Sequence, residues 1–546
     1  MSVDMYTQAE AWLAQDPDPE TRAELSALLE AARSGEVSAQ RDLKAHFTGR
    51  LAFGTAGLRG PVQAGPQGMN RVLVAQTARG LADYLLANMS QPSVVIGYDA
   101  RHKSDVFARD TAEIMQAAGV KAMLLPEQGP TPVLAFAVRH LDASAGVMVT
   151  ASHNPPQDNG YKVYLGGDDG GAQIVPPADQ AIAEAIDAVA ASQCVNTLPR
   201  SDDYQKLDDQ VIEAYIAQTA ALRSAPLAPI NYVYTAMHGV GCDTFLRTLE
   251  TAGLAKPTLV SEQCRPDGRF PTVEFPNPEE PGALDLAIAQ AKQEGAECII
   301  AHDPDADRLA VAVADEHGVW ASLHGNEIGR LLGLAIAQRA QKTGQHGALA
   351  CSLVSSPALG KIAAHYGLDF HETLTGFKWI GRITHLLFGY EEALGYLVDP
   401  KKVHDKDGIS AAIVFLDLLL ELKAQGRRLA DFRHECDQLI GAYASGQVSI
   451  RVDQLTKIGE LMRGFRSAPP QKIADYAVEE FIDHQQTDRR SNILVFHLDN
   501  GARVIIRPSG TEPKVKIYSD AKGETQAEAR AVIEQLSKAM QSLLAN

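Results

Sequence analysis

A chain of 546 residues is too long for one hydrophobic core, and three to four packed domains are expected of it. With 45% hydrophobic and 22% charged residues the composition is that of a soluble globular protein, and neither half has the bias of a disordered segment. The formal net charge of −18 speaks against a nucleic acid or an anionic membrane as partner, so a phosphorylated ligand would have to find local cations.

The first 20 residues are acidic and broken by Pro17 and Pro19, with no basic region leading into an apolar run, so no secretory signal is expected. Six cysteines, at 194, 242, 264, 298, 351 and 436, lack the paired spacing of zinc ribbons or disulfide frameworks, which fits a reducing cytoplasm. Residues 21–47 read as an amphipathic helical lead-in. The run Phe53-Gly54-Thr55-Ala56-Gly57-Leu58-Arg59-Gly60 then breaks any period and marks a tight loop.

Beyond it, 72–89 is predicted helical, 93–98 a short apolar strand and 106–118 helical again, an alternating β/α pattern. Strand-then-loop units recur at 145–150, 230–235, 298–301 and 347–354. In doubly wound α/β units, ligands bind beyond the carboxyl ends of the strands, where these loops fall. The apolar stretch 409–422 is interrupted by Asp417 and Glu421 and is too short to span a membrane, so it reads as a buried helix. The last hundred residues carry strand-like runs at 492–497, 502–506 and 515–518 and a helix over 526–544, which reads as a smaller α+β domain. The boundaries fall near 204, 322 and 442. They give domains 1–204 with the helical lead-in and a serine loop, 205–322 with an aspartate loop, 323–442 with a paired-glutamate loop, and 443–546.

Four loops carry chemistry. In Thr150-Ala151-Ser152-His153-Asn154-Pro155-Pro156 a serine at a strand end precedes two prolines that stiffen the chain, which holds its hydroxyl where a phosphoryl group could reach it. The plain alternative is a turn in which Ser152 and Asn154 bond their own backbone. In His302-Asp303-Pro304-Asp305-Ala306-Asp307-Arg308, aspartates at alternate positions of an extended segment point to one side and offer three oxygens suited to Mg²⁺. An EF-hand is excluded, because Arg308 stands where its sharp-turn glycine would be.

The third loop, Gly389-Tyr390-Glu391-Glu392-Ala393-Leu394-Gly395-Tyr396, sets adjacent carboxylates between glycines, where they could accept hydrogen bonds from sugar hydroxyls or lie exposed on a helix. Asp405-Lys406-Asp407-Gly408 follows it, and Lys378 in Thr375-Gly376-Phe377-Lys378-Trp379 precedes it with a cation beside an aromatic ring. The fourth, Arg507-Pro508-Ser509-Gly510-Thr511-Glu512-Pro513-Lys514, combines an arginine, two hydroxyls and a flexible glycine. It reads either as a phosphate cradle or as an ordinary hairpin turn.

On these residues the chain resembles the α-D-phosphohexomutase family, whose members share a Ser-His-Asn-Pro loop, an Asp-x-Asp-x-Asp-Arg metal loop, a Glu-Glu sugar loop and an Arg-x-Ser-Gly-Thr phosphate loop in this order. The resemblance runs from Gly54 to Tyr518. It implies a heart-shaped α/β molecule of four domains around a central cleft, three of them similar units with mixed sheets, plus a smaller C-terminal α+β domain. It also implies a phosphoserine at Ser152 and one Mg²⁺ per chain, held by Asp303, Asp305, Asp307 and a phosphate oxygen on Ser152. Arg59, Lys162 and Arg308 would steady the transferring group, and proximity in sequence to Ser152 makes Lys162 and His153 the candidates for the general base. Glu391 and Glu392, with Lys378 nearby, would bind the sugar. Arg507, Ser509, Gly510 and Thr511 would bind its non-reacting phosphate.

The implied activity is a phosphosugar mutase working through a sugar bisphosphate, glucose 1-phosphate and 6-phosphate first, with pentose and mannose phosphates as alternatives. Ala393 replaces a serine common in glucose-using members. Tyr390 and the metal loop, which lacks a glycine, look more like the branch of phosphopentomutases and glucose-1,6-bisphosphate synthases. A Mg²⁺-dependent phosphatase and a non-catalytic phosphosugar-binding protein are the rivals from other classes. Nothing in the sequence specifies an oligomer.

Overall fold

The computed structural model describes residues 3–54, 57–451, 455–508 and 514–545. It divides into two compact units, 1–322 with 397–414, and 323–396 with 415–546.

The first unit holds two sheets. In the first, Ser93–Tyr98 lies parallel to both Lys121–Leu124 and Ala145–Val149, and Asp158–Leu165 and Leu58–Pro61 continue it antiparallel, so the sheet is mixed. Ala145–Val149 is buried at every position, as a strand covered on both faces by helices requires. The helix Arg71–Asn88 belongs to the same hydrophobic core. It starts at Asn70, whose side chain accepts from the Leu73 N–H and satisfies an otherwise orphan donor. In the second sheet Cys298–His302 runs parallel to Tyr232–Thr235 and antiparallel to Leu309–Ala314.

The helical lead-in is three helices, Val3–Gln15, Pro19–Arg33 and Val37–Phe47, where the sequence suggested one stretch over 21–47. The break after Arg33 is made by Gly35, whose φ of +96° is a left-handed turn that glycine adopts without steric cost. Leu25, Leu29, Leu43 and Phe47 of this lead-in belong to the same hydrophobic core as the first sheet.

A buried ionic cluster ties the segment 397–414 into this unit. Lys402 donates to Asp407 Oδ2 at 2.9 Å and to the hydroxyls of Thr219 and Ser410, and its ammonium lies 4.1 Å from the centre of the Tyr215 ring. The Tyr215 hydroxyl donates to Asp407 Oδ1 at 2.7 Å, and Ser410 donates to the same carboxylate through its hydroxyl and its backbone N–H.

In the second unit, Ala348–Ser352 lies parallel to Asp369–Thr373 and to Leu386–Glu391. A six-stranded sheet follows, antiparallel at every pairing given for it. Its strands alternate as a two-residue period demands. Phe496, Val504 and Ile506 face a core with Ile533, Leu536 and Met540 of the helix Gln526–Ala545. Val495 and Ile505 face Leu353 and Val354 on the other side. The strands Ala442–Arg451 and Tyr476–Asp483 belong to this sheet although no apolar run announces them. The stretch read as a buried helix is one, Gly408–Ala424, and its Asp417 is neutralised by Arg339 at 2.6 Å. Among the described residues, no helix is long and apolar enough to cross a membrane. All six cysteines are free thiols.

Candidate active site

The serine loop leaves the buried strand Ala145–Val149 and sets Ser152 in the left-handed region at φ 50°, with 2% of the residue exposed. Its hydroxyl donates to Asp303 Oδ2 at 2.8 Å and lies 3.3 Å from His153 Nδ1. The aspartate loop joins the antiparallel strands Cys298–His302 and Leu309–Ala314 and turns through Ala306 at φ 54°, so Asp303, Asp305 and Asp307 converge. One carboxylate oxygen from each lies within 4.8 Å of the others, and all three residues are buried.

These carboxylates fit a hard divalent cation. Oδ1 of Asp305 and Oδ1 of Asp307 are buried without a hydrogen-bond partner, a costly arrangement that a metal ligand resolves. Burial and the two neighbouring carboxylates push Asp303 well above the usual carboxylate range. Asp307 is also penalised by burial, but Lys162, Lys406 and Arg308 overcome the penalty and hold it ionised.

Lys162, on the strand Asp158–Leu165, donates to Asp305 Oδ2 at 2.6 Å and to Asp307 Oδ2 at 2.9 Å. Burial disfavours its charge, yet these two carboxylates raise its pKa, so it acts here as a fixed cation. Arg308 lies 3.8 Å from Asp303 and 3.9 Å from Asp307 and Glu279. Arg59 donates to Asn154 Oδ1 at 3.2 Å from the neighbouring strand Leu58–Pro61. The structure therefore brings Arg59, Ser152, His153, Lys162, the three aspartates and Arg308 together in the first unit. Two of the residues quoted for the Arg59 loop, Thr55 and Ala56, lie outside the described residues.

One residue was quoted in the sequence without a role. Lys406 reaches Asp307 Oδ2 at 3.2 Å and also pairs with Asp405, whose other oxygen accepts from Tyr164 and Gln173. Gly408 beside it is required by space: a Cβ there would stand 2.3 Å from the Arg308 carbonyl oxygen. The Asp-Lys-Asp-Gly spacing was the available signal, but its meaning depends on this segment packing in the first unit.

In the second unit Glu391 ends the strand Leu386–Glu391, and its Oε1 accepts at 2.7 Å the N–H of Gly376, which caps the short helix Phe377–Ile380 that carries Lys378. Glu392 is turned inward at 5% exposure and accepts from the hydroxyls of Ser352 and Ser355 at 3.2 Å. Neither glutamate is on a helix. Leu394 follows at φ 62°. The Tyr390 hydroxyl donates to Asn326 Oδ1 at 3.1 Å and is thus committed to the fold. Arg507 lies on the strand Arg503–Pro508 opposite Lys516. Ser509, Gly510 and Thr511 lie outside the described residues.

The chain matches four family models in order: Phosphoglucomutase/phosphomannomutase alpha/beta/alpha domain I over residues 50–193, domain II over 213–318, domain III over 324–438, and the C-terminal domain over 462–539. It is 61% identical over 477 residues to the Haemophilus influenzae protein named "Probable phosphomannomutase", covering 87% of this chain and 98% of that one. It is 36% identical to the phosphoribomutase of Saccharomyces cerevisiae, covering 95% and 93%, and 34% identical to the phosphoglucomutase of Staphylococcus aureus, covering 87% and 90%. The chain belongs to the phosphoglucomutase/phosphomannomutase family, the α-D-phosphohexomutases, with its four-domain α/β architecture. Within that family it is a phosphosugar mutase, an isomerase of the phosphotransferase type.

Proposed function

We propose that this mutase interconverts glucose 1-phosphate and glucose 6-phosphate through a phosphorylated Ser152. The observation that carries the reading is the Ser152 hydroxyl at 2.8 Å from Asp303, beside two buried carboxylate oxygens that accept no hydrogen bond and four cations. Phosphoryl transfer depends mainly on positioning and on neutralising charge, and this group of residues supplies both. Asp303, Asp305 and Asp307 would hold Mg²⁺, which when bound draws charge from the phosphoryl oxygens.

In the forward half-reaction the bond from phosphorus to Ser152 Oγ breaks as a bond to the sugar O6 forms, giving a sugar bisphosphate. The O6 proton passes to a base. His153, 3.3 Å from Oγ, suits that role better than Lys162, which two carboxylates hold protonated. In the second half the bond from phosphorus to O1 breaks as a bond to Ser152 Oγ forms, the base returns its proton to O1, and glucose 6-phosphate is freed. Arg59, Lys162, Arg308 and Lys406 steady the charge throughout. Glu391, Glu392 and Lys378 are assigned to the sugar, and Arg507, Ser509, Gly510 and Thr511 to its second phosphate.

The S. aureus phosphoglucomutase supports glucose, whereas the 61%-identical relative carries a mannose name, so mannose is the second reading. The test is steady-state turnover of glucose, mannose and ribose 1-phosphates with a trace of bisphosphate. The highest kcat/KM is expected on glucose 1-phosphate. A mannose or ribose preference would replace the substrate, and phosphate release without isomerised product would overturn the mutase cycle.

The metal assignment has a readout apart from activity. Millimolar Mg²⁺ is expected to raise the melting temperature of the wild type, because a ligand bound only by the folded state stabilises it by mass action. Asp305→Asn is expected to lose most of that rise.

A further inference from the structure

Arg101 is a buried cation that takes no part in the reaction described above. It lies in the loop after the strand Ser93–Tyr98, and 1% of its side chain is exposed. Its Nη2 donates to the carbonyl oxygens of Ser152 and Asn154, both at 2.6 Å. Its Nη1 donates to those of Pro155 at 2.8 Å and Asp158 at 3.0 Å. The Nε faces Asp99 Oδ2 at 3.5 Å, beyond a good hydrogen bond. A guanidinium has five N–H donors; four are spent on one loop and the fifth points at a buried carboxylate, so none remains for a substrate.

The surroundings hold that guanidinium in place. Asp99 is fixed by the Ser104 hydroxyl at 2.6 Å and by the Arg101 backbone N–H at 2.9 Å. Asn159, on the strand Asp158–Leu165 that follows the serine loop, donates to Ser104 Oγ and to the His102 carbonyl, both at 2.9 Å. From the other side the Phe270 ring stacks over the guanidinium with its centre 4.9 Å away, and Phe270 is itself buried. Gly268 lies against the same loop, since a Cβ there would meet the Ala100 carbonyl oxygen at 2.5 Å.

We propose that Arg101 is the positioning residue of the mutase: by gathering four carbonyl oxygens of the serine loop onto one planar fork, it holds Ser152 in its left-handed conformation with the hydroxyl aimed at Asp303. Ser152 sits at φ 50°, which costs a non-glycine residue free energy and persists only where the surroundings impose it. Four charge-assisted hydrogen bonds from one rigid group are such an imposition. Lysine cannot replace it, because a tetrahedral ammonium offers three donors and no fork. The proposal rests on Ser152 being the phosphoryl carrier.

The experiment compares wild type, Arg101→Lys, Arg101→Ala and Phe270→Leu in two readouts: kcat and KM on the preferred sugar 1-phosphate, and the rate at which glucose 1,6-bisphosphate phosphorylates Ser152, followed by intact mass. Arg101→Lys is expected to lower kcat on the order of 10²-fold, as a misplacement of about 1 Å does, with Ser152 phosphorylation slowed in proportion and KM held. Added guanidinium at a non-denaturing concentration is expected to restore part of the rate to Arg101→Ala and none to wild type. A folded Arg101→Lys that keeps the wild-type kcat, or loses only KM, overturns the proposal. If neither Arg101 variant folds, Phe270→Leu decides, since it removes the ring that holds the guanidinium in register with the four carbonyls. A lower kcat at constant KM supports the role, and an unchanged kcat overturns it. Wild type that takes up no phosphoryl group at Ser152 removes the phosphoserine reading itself, whereas equal uptake by wild type and Arg101→Lys removes only the role of Arg101.

Discussion

Ser152→Ala is expected to reduce mutase turnover by roughly 10⁴- to 10⁶-fold, the loss that follows removal of a covalent nucleophile acting as part of a unit. The fold should be nearly untouched. The Ser152 hydroxyl bonds Asp303 at 2.8 Å and meets His153 Nδ1 at 3.3 Å, and each such bond is worth about 1 kcal/mol net. Alanine bears the same left-handed backbone that serine does. A coupled assay with the preferred sugar 1-phosphate reads the turnover, intact mass after incubation with the bisphosphate reads the missing phosphoryl group, and thermal melting reads the fold. Retained turnover in a variant that gains no phosphoryl group would remove Ser152 from the mechanism.

The largest expected effect on stability lies away from the chemistry, at Lys402. Its ammonium and the Asp407 carboxylate are each only 1% exposed. Lys402→Met keeps most of the volume but leaves Asp407 as an uncompensated buried charge, a change that costs about 3–5 kcal/mol. Its pH dependence separates this cause from lost packing. In the wild type burial opposes the Asp407 charge, but Lys402 and Ser410 outweigh it and depress the pKa. The pair's contribution is therefore present above the unfolded carboxyl value near 3.9 and is lost as pH falls through the lower folded value. Without Lys402 the folded pKa of Asp407 rises above its unfolded value, so the penalty acts at neutral pH and fades as pH falls toward about 4. Urea unfolding at pH 7 and pH 4 is expected to show a large difference between variant and wild type at the first and a small one at the second. A constant difference would assign the loss to packing alone.

The serine and aspartate loops were legible because each is contiguous: a strand end, a turn and a fixed set of side chains within seven residues. Ser152 and the three aspartates could thus be picked out before any long-range contact was known, and His302-Asp303 and Thr150-Ala151 do follow buried strands. What stayed hidden depends on elements far apart in the chain. Lys406 gains its meaning only because 397–414 packs in the first unit. Glu392 turns inward because Ser352 and Ser355 arrive from the end of another strand and the turn after it. Arg101 reads as an ordinary charged loop residue until Pro155, Asp158 and Phe270 surround it.

Strand detection failed for a different reason. Ala442–Arg451 is built largely of small and polar residues, and Tyr476–Asp483 carries Glu479 and Glu480 on exposed positions, so neither shows the apolar alternation by which a half-buried strand is recognised.

Ser152, Ala306 and Leu394 all hold left-handed backbones without being glycine, and so do Met237 and His238 in the loop beside Pro304. Each is disfavoured by about 1 kcal/mol or more relative to a residue that tolerates φ above zero. For protein engineering these positions form a fault line between durability and turnover. Selection for heat tolerance alone favours glycine or asparagine at Ala306 and Leu394, whereas selection for turnover favours the stiffer side chains that keep neighbouring carboxylates in register. A family diversifying under both pressures would keep its strained loops and gather its stabilising substitutions elsewhere, on helices such as Arg71–Asn88 whose backbones carry no strain.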